Sequence, residues 1–293
     1  MRYEGKIYRP PPEAGAYILQ CTVGCSYNKC TYCSMYKDVR YRVRTIEALK
    51  EDIQMAKKAY GSGVSKVFLS DGDAISLPTE TLLEILNELY GAFPELTHVS
   101  TYAGPQSTLS KTLEELTQLR KAGLTMTYLG VESGSDKVLT EVRKGVSAEE
   151  MLEAGSNIVK SGIKLVAMVM VGLGGRGERS RIHAIETAEL INRMKPYLLG
   201  TLTTVPMPGT VLHRQMTKGD FTLLDPYEVL EEMKVLLEHL TLPDLYIDGR
   251  HASNLMPIKG RLAEIAPDVI SAIDKHLKHR DNNIIGQAYI GRF

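Results

Sequence analysis

The sequence predicts an α/β fold, a complete or partial parallel (β/α) barrel of roughly six to seven β-α units. Three observations lead there. Short apolar runs of strand length alternate with longer stretches of helical period. The strand candidates are apolar almost throughout, as in a parallel sheet covered on both faces. All four cysteines lie between residues 21 and 33, from the last residue of the first strand candidate onward, on the rim where such barrels carry their chemistry.

The elements follow in order. A lead-in over residues 1–15 is irregular and rich in proline, with Arg9-Pro10-Pro11-Pro12 near its end. The first strand is Ala16–Cys21, and after the cysteine loop the period of Thr45–Tyr60 is helical. Strand Lys66–Ser70 precedes helix Thr79–Ala92, which opens on the start signal Pro78-Thr79-Glu80. Strand His98–Thr101 and helix Thr112–Ala122 come next, with Gly123 as the stop. Thr125–Val131 is the fourth strand; helix Ala148–Ser161 opens on Ser147-Ala148-Glu149-Glu150 and stops at Gly162. Strand Lys164–Val171, helix Arg179–Met194, strand Tyr197–Thr204 and helix Pro226–His239 complete the clear rhythm. A weaker strand, Leu245–Asp248, and a helix, Pro267–Lys278, close it, and no repeat or low-complexity segment interrupts it. A core over 16–210 and an extension over 211–293 closing the barrel mouth are expected, the first range being that of the resemblance described below. The tail, polar from Arg280 and ending Tyr289-Ile290-Gly291-Arg292-Phe293, is expected either loose or folded over that mouth.

At 293 residues and 43% hydrophobic content, the chain can bury a sizeable core. Its 35 basic and 35 acidic side chains cancel, so no global field draws it to nucleic acid or to an anionic membrane. The start Met1-Arg2-Tyr3-Glu4-Gly5-Lys6 carries no apolar signal region, and no run approaches the ~18 apolar residues of a membrane helix. A cytoplasmic location is expected, where thiols stay reduced.

Cysteines this close make poor structural disulfides, because short loops constrain the unfolded chain little. Clustered thiolates suit a metal. Structural zinc sites usually draw on two separated pairs, and no second pair exists here. One compact loop suits an iron–sulfur cluster instead.

The run Gly24-Cys25-Ser26-Tyr27-Asn28-Lys29-Cys30-Thr31-Tyr32-Cys33 resembles the cluster loop of the radical S-adenosylmethionine (radical SAM) superfamily. There three cysteines spaced C-x3-C-x2-C, with an aromatic before the last, hold a [4Fe-4S] cluster. Here Cys30 and Cys33 keep the second spacing, with Tyr32 as the aromatic, while Cys25 to Cys30 is one residue longer. The resemblance implies Cys25, Cys30 and Cys33 as ligands. Cys21 lies three intervening residues before Cys25, so a set of Cys21, Cys25 and either Cys30 or Cys33 stays conceivable. Cys21 falls where the first strand is still extended, which favours a buried strand residue.

The resemblance runs over about residues 16 to 210, and its further motifs fall on successive strand ends. Asp71-Gly72-Asp73 stands where the superfamily commonly has a Gly-Gly-Glu-like turn for the methionine ammonium. Glu132 and Ser133, in Gly130-Val131-Glu132-Ser133-Gly134, resemble the segment that meets the ribose hydroxyls. Arg143 and Lys144 offer a cation for the methionine carboxylate, and Gly172 opens a glycine turn of the kind that lies against adenine. Each has a plainer explanation as well: an Asp-Gly turn, a helix cap, a solvated helix end, a turn needing positive φ. Pro206-Met207-Pro208-Gly209-Thr210 resembles a turn on the substrate side. Arg250, His251 and Asn254, just beyond the weak seventh strand, are substrate candidates or a polar surface loop. His98, His183 and His213 have no distinguishing context and default to surface or capping roles.

The resemblance implies the cofactors, a [4Fe-4S] cluster and S-adenosylmethionine, and the reaction. An external one-electron donor such as flavodoxin or ferredoxin reduces the cluster, the sulfonium is cleaved, and a 5′-deoxyadenosyl radical takes hydrogen from a small-molecule substrate. With three cysteines used, Cys21 is left and cannot ligate an auxiliary cluster alone, and no segment is left for a separate cobalamin domain. Modification of a tRNA nucleoside is the alternative within the enzyme class; it would need a local basic face. A non-catalytic iron–sulfur electron carrier is the alternative outside it.

Overall fold

The structure, a computed structural model, describes residues 1–280. The tail expected over the barrel mouth lies, from residue 281, outside the described residues.

Ten strands form. They are β1 (Tyr17–Gln20), β2 (Thr22–Val23), β3 (Arg42–Val43), β4 (Lys66–Ser70), β5 (His98–Ala103), β6 (Met126–Glu132), β7 (Lys164–Val171), β8 (Leu198–Thr203), β9 (Tyr246–Asp248) and β10 (Lys259–Arg261). The helices are α1 (Ile46–Tyr60), α2 (Thr79–Ala92), α3 (Pro105–Leu109), α4 (Leu113–Lys121), α5 (Asp136–Glu141), α6 (Ala148–Lys160), α7 (Glu178–Met194), α8 (Val211–Lys218), α9 (Pro226–His239) and α10 (Leu262–Lys278). Eight strands make one sheet in the order β1-β4-β5-β6-β7-β8-β9-β10. The neighbours β1 with β4, β4 with β5, β5 with β6, β7 with β8 and β8 with β9 run parallel, while β10 runs antiparallel to β9. The fold is α/β with a mostly parallel sheet, consistent with a partial (β/α) barrel.

All seven strand candidates of the sequence are present, because each is a short buried apolar run. The elements it missed are short: the β2–β3 ribbon, β10, α3, α5 and α8. Two to eight residues give too few turns or alternations for a period to show. One helix start is corrected. Pro267 was expected to open the last helix, yet α10 begins at Leu262 directly after β10, with Pro267 inside it.

Contacts group the chain into two units, neither a continuous segment: Met1–Asn28, Met35–Leu129 and Glu153–Leu165 form one, and Lys29–Ser34, Gly130–Leu152 and Val166 onward the other.

In the first unit, α1 and α2 present Leu49, Ile53, Leu82, Ile85, Leu86 and Leu89 to the core, all at most 1% exposed. Thr45 caps α1 by accepting from the Ala48 N–H, and a Thr112–Glu115 capping box starts α4. A buried ion pair, Arg44 to Asp52 at 2.6 Å, ties the segment before α1 to its second turn. The lead-in is anchored by Glu13, only 2% exposed. Its carboxylate accepts from His98 Nε2 at 2.9 Å and from the Tyr128 hydroxyl at 2.8 Å. His98, expected at the surface or in a cap, is therefore half-buried and bonded to the lead-in.

In the second unit, α9 packs on α7 and α10 on α9. Along β7 and β8 the register pairs Ala167 with Leu199, and Met168 with Gly200. Ala167 and Leu199 are wholly buried, whereas Met168, Met170, Leu198 and Leu202, on the opposite face, are half-buried. Among the described residues no helix is long and apolar enough to cross a membrane.

Candidate functional site

In the first unit, the cysteine loop leaves β1 through Cys21 and Gly24, the latter at φ +81°. Cys21 is wholly buried, and its thiol donates to the Leu19 carbonyl at 3.5 Å. Burial pushes that thiol up to about 12, so it stays protonated. Cys25 is partly exposed and lies against the turn after β4. A Cβ on Gly72 would stand 2.9 Å from the Cys25 Cβ and 2.6 Å from the Tyr36 ring, so only glycine fits this approach.

The two aspartates of that turn are committed to the loop. Asp73 accepts from the hydroxyls of Ser26 and Ser107 and, at 2.7 Å, from the Gly104 N–H. Asp71 accepts from the Tyr36 hydroxyl, from the Gly24 N–H at 3.3 Å and from the Gln20 amide at 3.4 Å. Burial raises the Asp71 carboxyl against these donors. Through these bonds both carboxylates fix the path of the loop around Cys25.

In the second unit stand Cys30, Tyr32 and Cys33. Thr31 donates its N–H to Val142 O at 2.9 Å and accepts from the Leu212 N–H at 3.0 Å, which docks this half of the loop on α5 and α8. The Tyr32 ring packs on Val138, Val142, Leu173 and Leu212. At the end of β6, Glu132 Oε1 meets Lys144 Nζ at 3.0 Å, and the same ammonium reaches the Tyr32 hydroxyl at 3.4 Å. Burial pushes that hydroxyl well up, and the charges of Glu132, Cys30 and Cys33 add to the effect.

Gly130 makes the space. A Cβ there would lie 2.3 Å from Glu132 Oε1 and 3.0 Å from Lys144 Nζ. Glu132 and Arg143 both hold left-handed backbone, at φ +65° and +54°, a conformation that costs a non-glycine residue energy and tends to mark functional turns. Of the two adjacent cations, Lys144 is the buried one and Arg143 faces solvent.

Ser133 turns inward, toward His183 Nδ1 at 2.9 Å, and accepts from the Ser135 N–H at 2.9 Å. Gly172, at φ +84°, donates its N–H to Glu232 Oε1 at 2.6 Å. His183 is 2% exposed and Glu232 3%, which corrects the surface or capping role expected of that histidine. Sequence reading missed Ser180, His183, Thr187 and Glu232; the one available signal was the three-and-four spacing of the first three on one face of α7.

In the C-terminal part, Asn254 is a strap. Its amide donates to Thr201 O and Gly249 O, each at 2.7 Å, and its Oδ1 accepts from the Thr203 hydroxyl at 2.9 Å. Arg250 forks onto Asp248 at 2.9 and 2.7 Å and is half-exposed. His251 Nδ1 lies 2.8 Å from Ser253 Oγ, and burial lowers its pKa.

For an iron–sulfur cluster, the donor set is chemically suitable. Cys25, Cys30 and Cys33 are accessible thiols, while Cys21 is sealed in. Among the described residues no three His, Cys, Asp or Glu side chains, these cysteines included, are gathered as a group that could hold a metal ion. Glycine at 72 lets the turn after β4 approach Cys25 this closely.

Residues 19–188 match the radical SAM superfamily. The chain belongs to that superfamily. A relative of unknown function from Methanocaldococcus jannaschii is 24% identical over 252 residues, covering 82% of this chain and 74% of its own length. In fold the radical SAM chain is similar to methylornithine synthase, with a TM-score of 0.53 and 18% identity over 78% of this chain and 65% of that one. It is similar also to coproporphyrinogen III oxidase from Escherichia coli, a radical SAM enzyme, with a TM-score of 0.59 and 16% identity over 76% and 52%. The chain spans less than two thirds of either structure, and at these identities the likeness is one of fold.

Proposed function

We propose that this radical SAM protein holds a [4Fe-4S] cluster through Cys25, Cys30 and Cys33 and acts on a small molecule with S-adenosylmethionine. The observation that carries the reading is the Glu132–Lys144 pair over Gly130, touching Tyr32 from the loop of Cys30 and Cys33. It sets a carboxylate, an ammonium and the cysteine loop beside one another. Glu132 suits ribose hydroxyls, since a carboxylate at a strand end accepts two hydroxyl protons. Lys144, in preference to Arg143, suits the methionine carboxylate. When bound, the cluster and S-adenosylmethionine supply reductive sulfonium cleavage and hydrogen abstraction. The protein's part is to place the nucleoside, hold charge and exclude water. An electron carrier would have no use for such a pair beside its cysteine loop.

The half-buried face of Met168, Met170, Leu198 and Leu202 supports a small substrate with an apolar body, because adaptable thioether and aliphatic chains line it. Of the C-terminal candidates, Arg250 and His251 keep a substrate role in this reading, and Asn254 does not. A cytoplasmic setting and an external donor such as flavodoxin or ferredoxin belong to the same proposal.

Anaerobic reconstitution with iron and sulfide, then dithionite and S-adenosylmethionine, tests it. 5′-Deoxyadenosine should form, survive Cys21→Ala, and vanish with Cys25→Ala, Cys30→Ala or Cys33→Ala. Retention by Cys25→Ala, or loss with Cys21→Ala alone, would redraw the ligand set. RNA co-purifying at low salt and released steeply as salt rises would favour the tRNA alternative.

A further inference from the structure

Behind the ends of β6 and β7, the second unit contains a connected set of buried polar side chains. Ser180, His183 and Thr187 share one face of α7, at spacings of three and four. Thr187 Oγ1 accepts from the Gly134 N–H at 2.9 Å. His183 Nε2 meets the Met170 carbonyl at 3.0 Å, and because a carbonyl only accepts, that nitrogen carries the proton. Nδ1, on the other side of the ring, lies 2.9 Å from the Ser133 hydroxyl. Glu232, from α9, accepts from the Ser180 hydroxyl through Oε2 and from the Gly172 N–H through Oε1 at 2.6 Å. His183 Nε2 lies 3.6 Å from the same Oε1.

The set grips two turns. Residues 133–135 after β6 are held by His183 and Thr187, and Gly134 lies so close to α7 that a Cβ would stand 2.2 Å from Glu186 O. Residues 170–172 at the end of β7 are held by His183 and Glu232. A carboxylate buried this deeply is expensive unless its oxygens are bonded, and hydrophobic packing alone would be a simpler way to join α7 to α9. A buried polar network with its members satisfied fixes a unique arrangement instead. Burial also raises the Glu232 carboxyl.

We propose that Ser180, His183, Thr187 and Glu232 form a rack that sets the two turns flanking the nucleoside half of the S-adenosylmethionine site, and that Glu232 is a positioning residue for that site. This rests on the function proposed above. Glu232 lies outside residues 19–188, the part matching the superfamily, so the segment beyond the core contributes to cofactor binding from below the strand ends.

Glu232→Ala removes both acceptors, whereas Glu232→Gln keeps a carbonyl oxygen for the Gly172 N–H. Leu237→Ala, elsewhere on α9 and 3% exposed, controls for general loosening of that helix. Each reconstituted variant is titrated with S-adenosylhomocysteine by calorimetry, well below its own Tm. Glu232→Ala should weaken binding at least tenfold, Glu232→Gln should recover most of that, and Leu237→Ala should lower Tm while leaving Kd within twofold of wild type. Equal weakening by Leu237→Ala, or unchanged affinity in folded Glu232→Ala, overturns the rack. Failure of the wild-type chain to bind S-adenosylhomocysteine overturns the underlying functional reading instead.

Discussion

Replacing Lys144 with methionine isolates the pair on which the functional reading stands. Glu132 and Lys144 side chains are 12% and 8% exposed, with Nζ and Oε1 3.0 Å apart. At an effective dielectric near 20, that separation corresponds to about 5.5 kcal/mol of gross attraction. Desolvation of both groups offsets much of it, so the intact pair contributes little net stability. Removing one partner is different, because Glu132 is then left charged in a site built for a pair. The expected loss is about 3 kcal/mol, the low end of the range for breaking a buried pair. Urea denaturation of the apo chain should show the midpoint falling with the slope unchanged. The double variant Glu132→Gln/Lys144→Met should lose less than the sum of the singles, by about 2 kcal/mol. A loss below about 1 kcal/mol for Lys144→Met, or strict additivity in the double variant, would refute a buried coupled pair.

Gly130→Ala should weaken S-adenosylmethionine binding without disturbing cluster loading, since its Cβ would stand 2.3 Å from Glu132 Oε1; affinity and iron content measured on one sample check this. Gly72→Ala should do the reverse, lowering bound iron, because its Cβ would stand 2.9 Å from that of Cys25. Cys21, with its thiol pushed to about 12, should resist iodoacetamide at pH 8 in the folded apo chain while the other three cysteines react, as peptide mapping would show. Burial opposes ionisation of Asp52, but Arg44 and Arg2 outweigh it and hold the carboxyl low. Its stability is therefore present above the unfolded carboxylate pKa of ~3.9 and is lost as pH falls through the lower folded value. Asp52→Asn should flatten the acid limb of a stability-against-pH curve; a curve unchanged in shape would count against this linkage. Asn254→Ala removes three hydrogen bonds from the strap on β8 and should cost about 2 kcal/mol, with no effect on S-adenosylmethionine affinity.

The elements were legible because burial on both faces of a parallel sheet writes continuous apolar runs into the chain, as in Lys66–Ser70 and Lys164–Val171, whose bounds the sequence predicted as found. α10 was misplaced because proline resembles a helix start wherever it stands in the first turns. Local motifs were legible where the chemistry is local, as with Cys30-Thr31-Tyr32-Cys33. Which of Arg143 and Lys144 turns inward was not, because neighbours on a chain differ only in where the turn points them. His183 and Glu232 were invisible for a related reason. Forty-nine residues separate them by number (232 − 183), and nothing in either neighbourhood records that α7 and α9 pack together.

The sequence by itself therefore determined the α/β class, the order of the strands' apolar runs and the crowding of four thiols from the end of the first of them onward. These are properties of spacing, which the chain carries wherever it folds. Tertiary structure decided which thiol is sealed away, that Asp71 and Asp73 anchor the loop, and that Lys144 turns inward to Glu132. Burial and hydrogen-bond partners set the charge and direction of each of these groups, and both exist only once distant segments have packed.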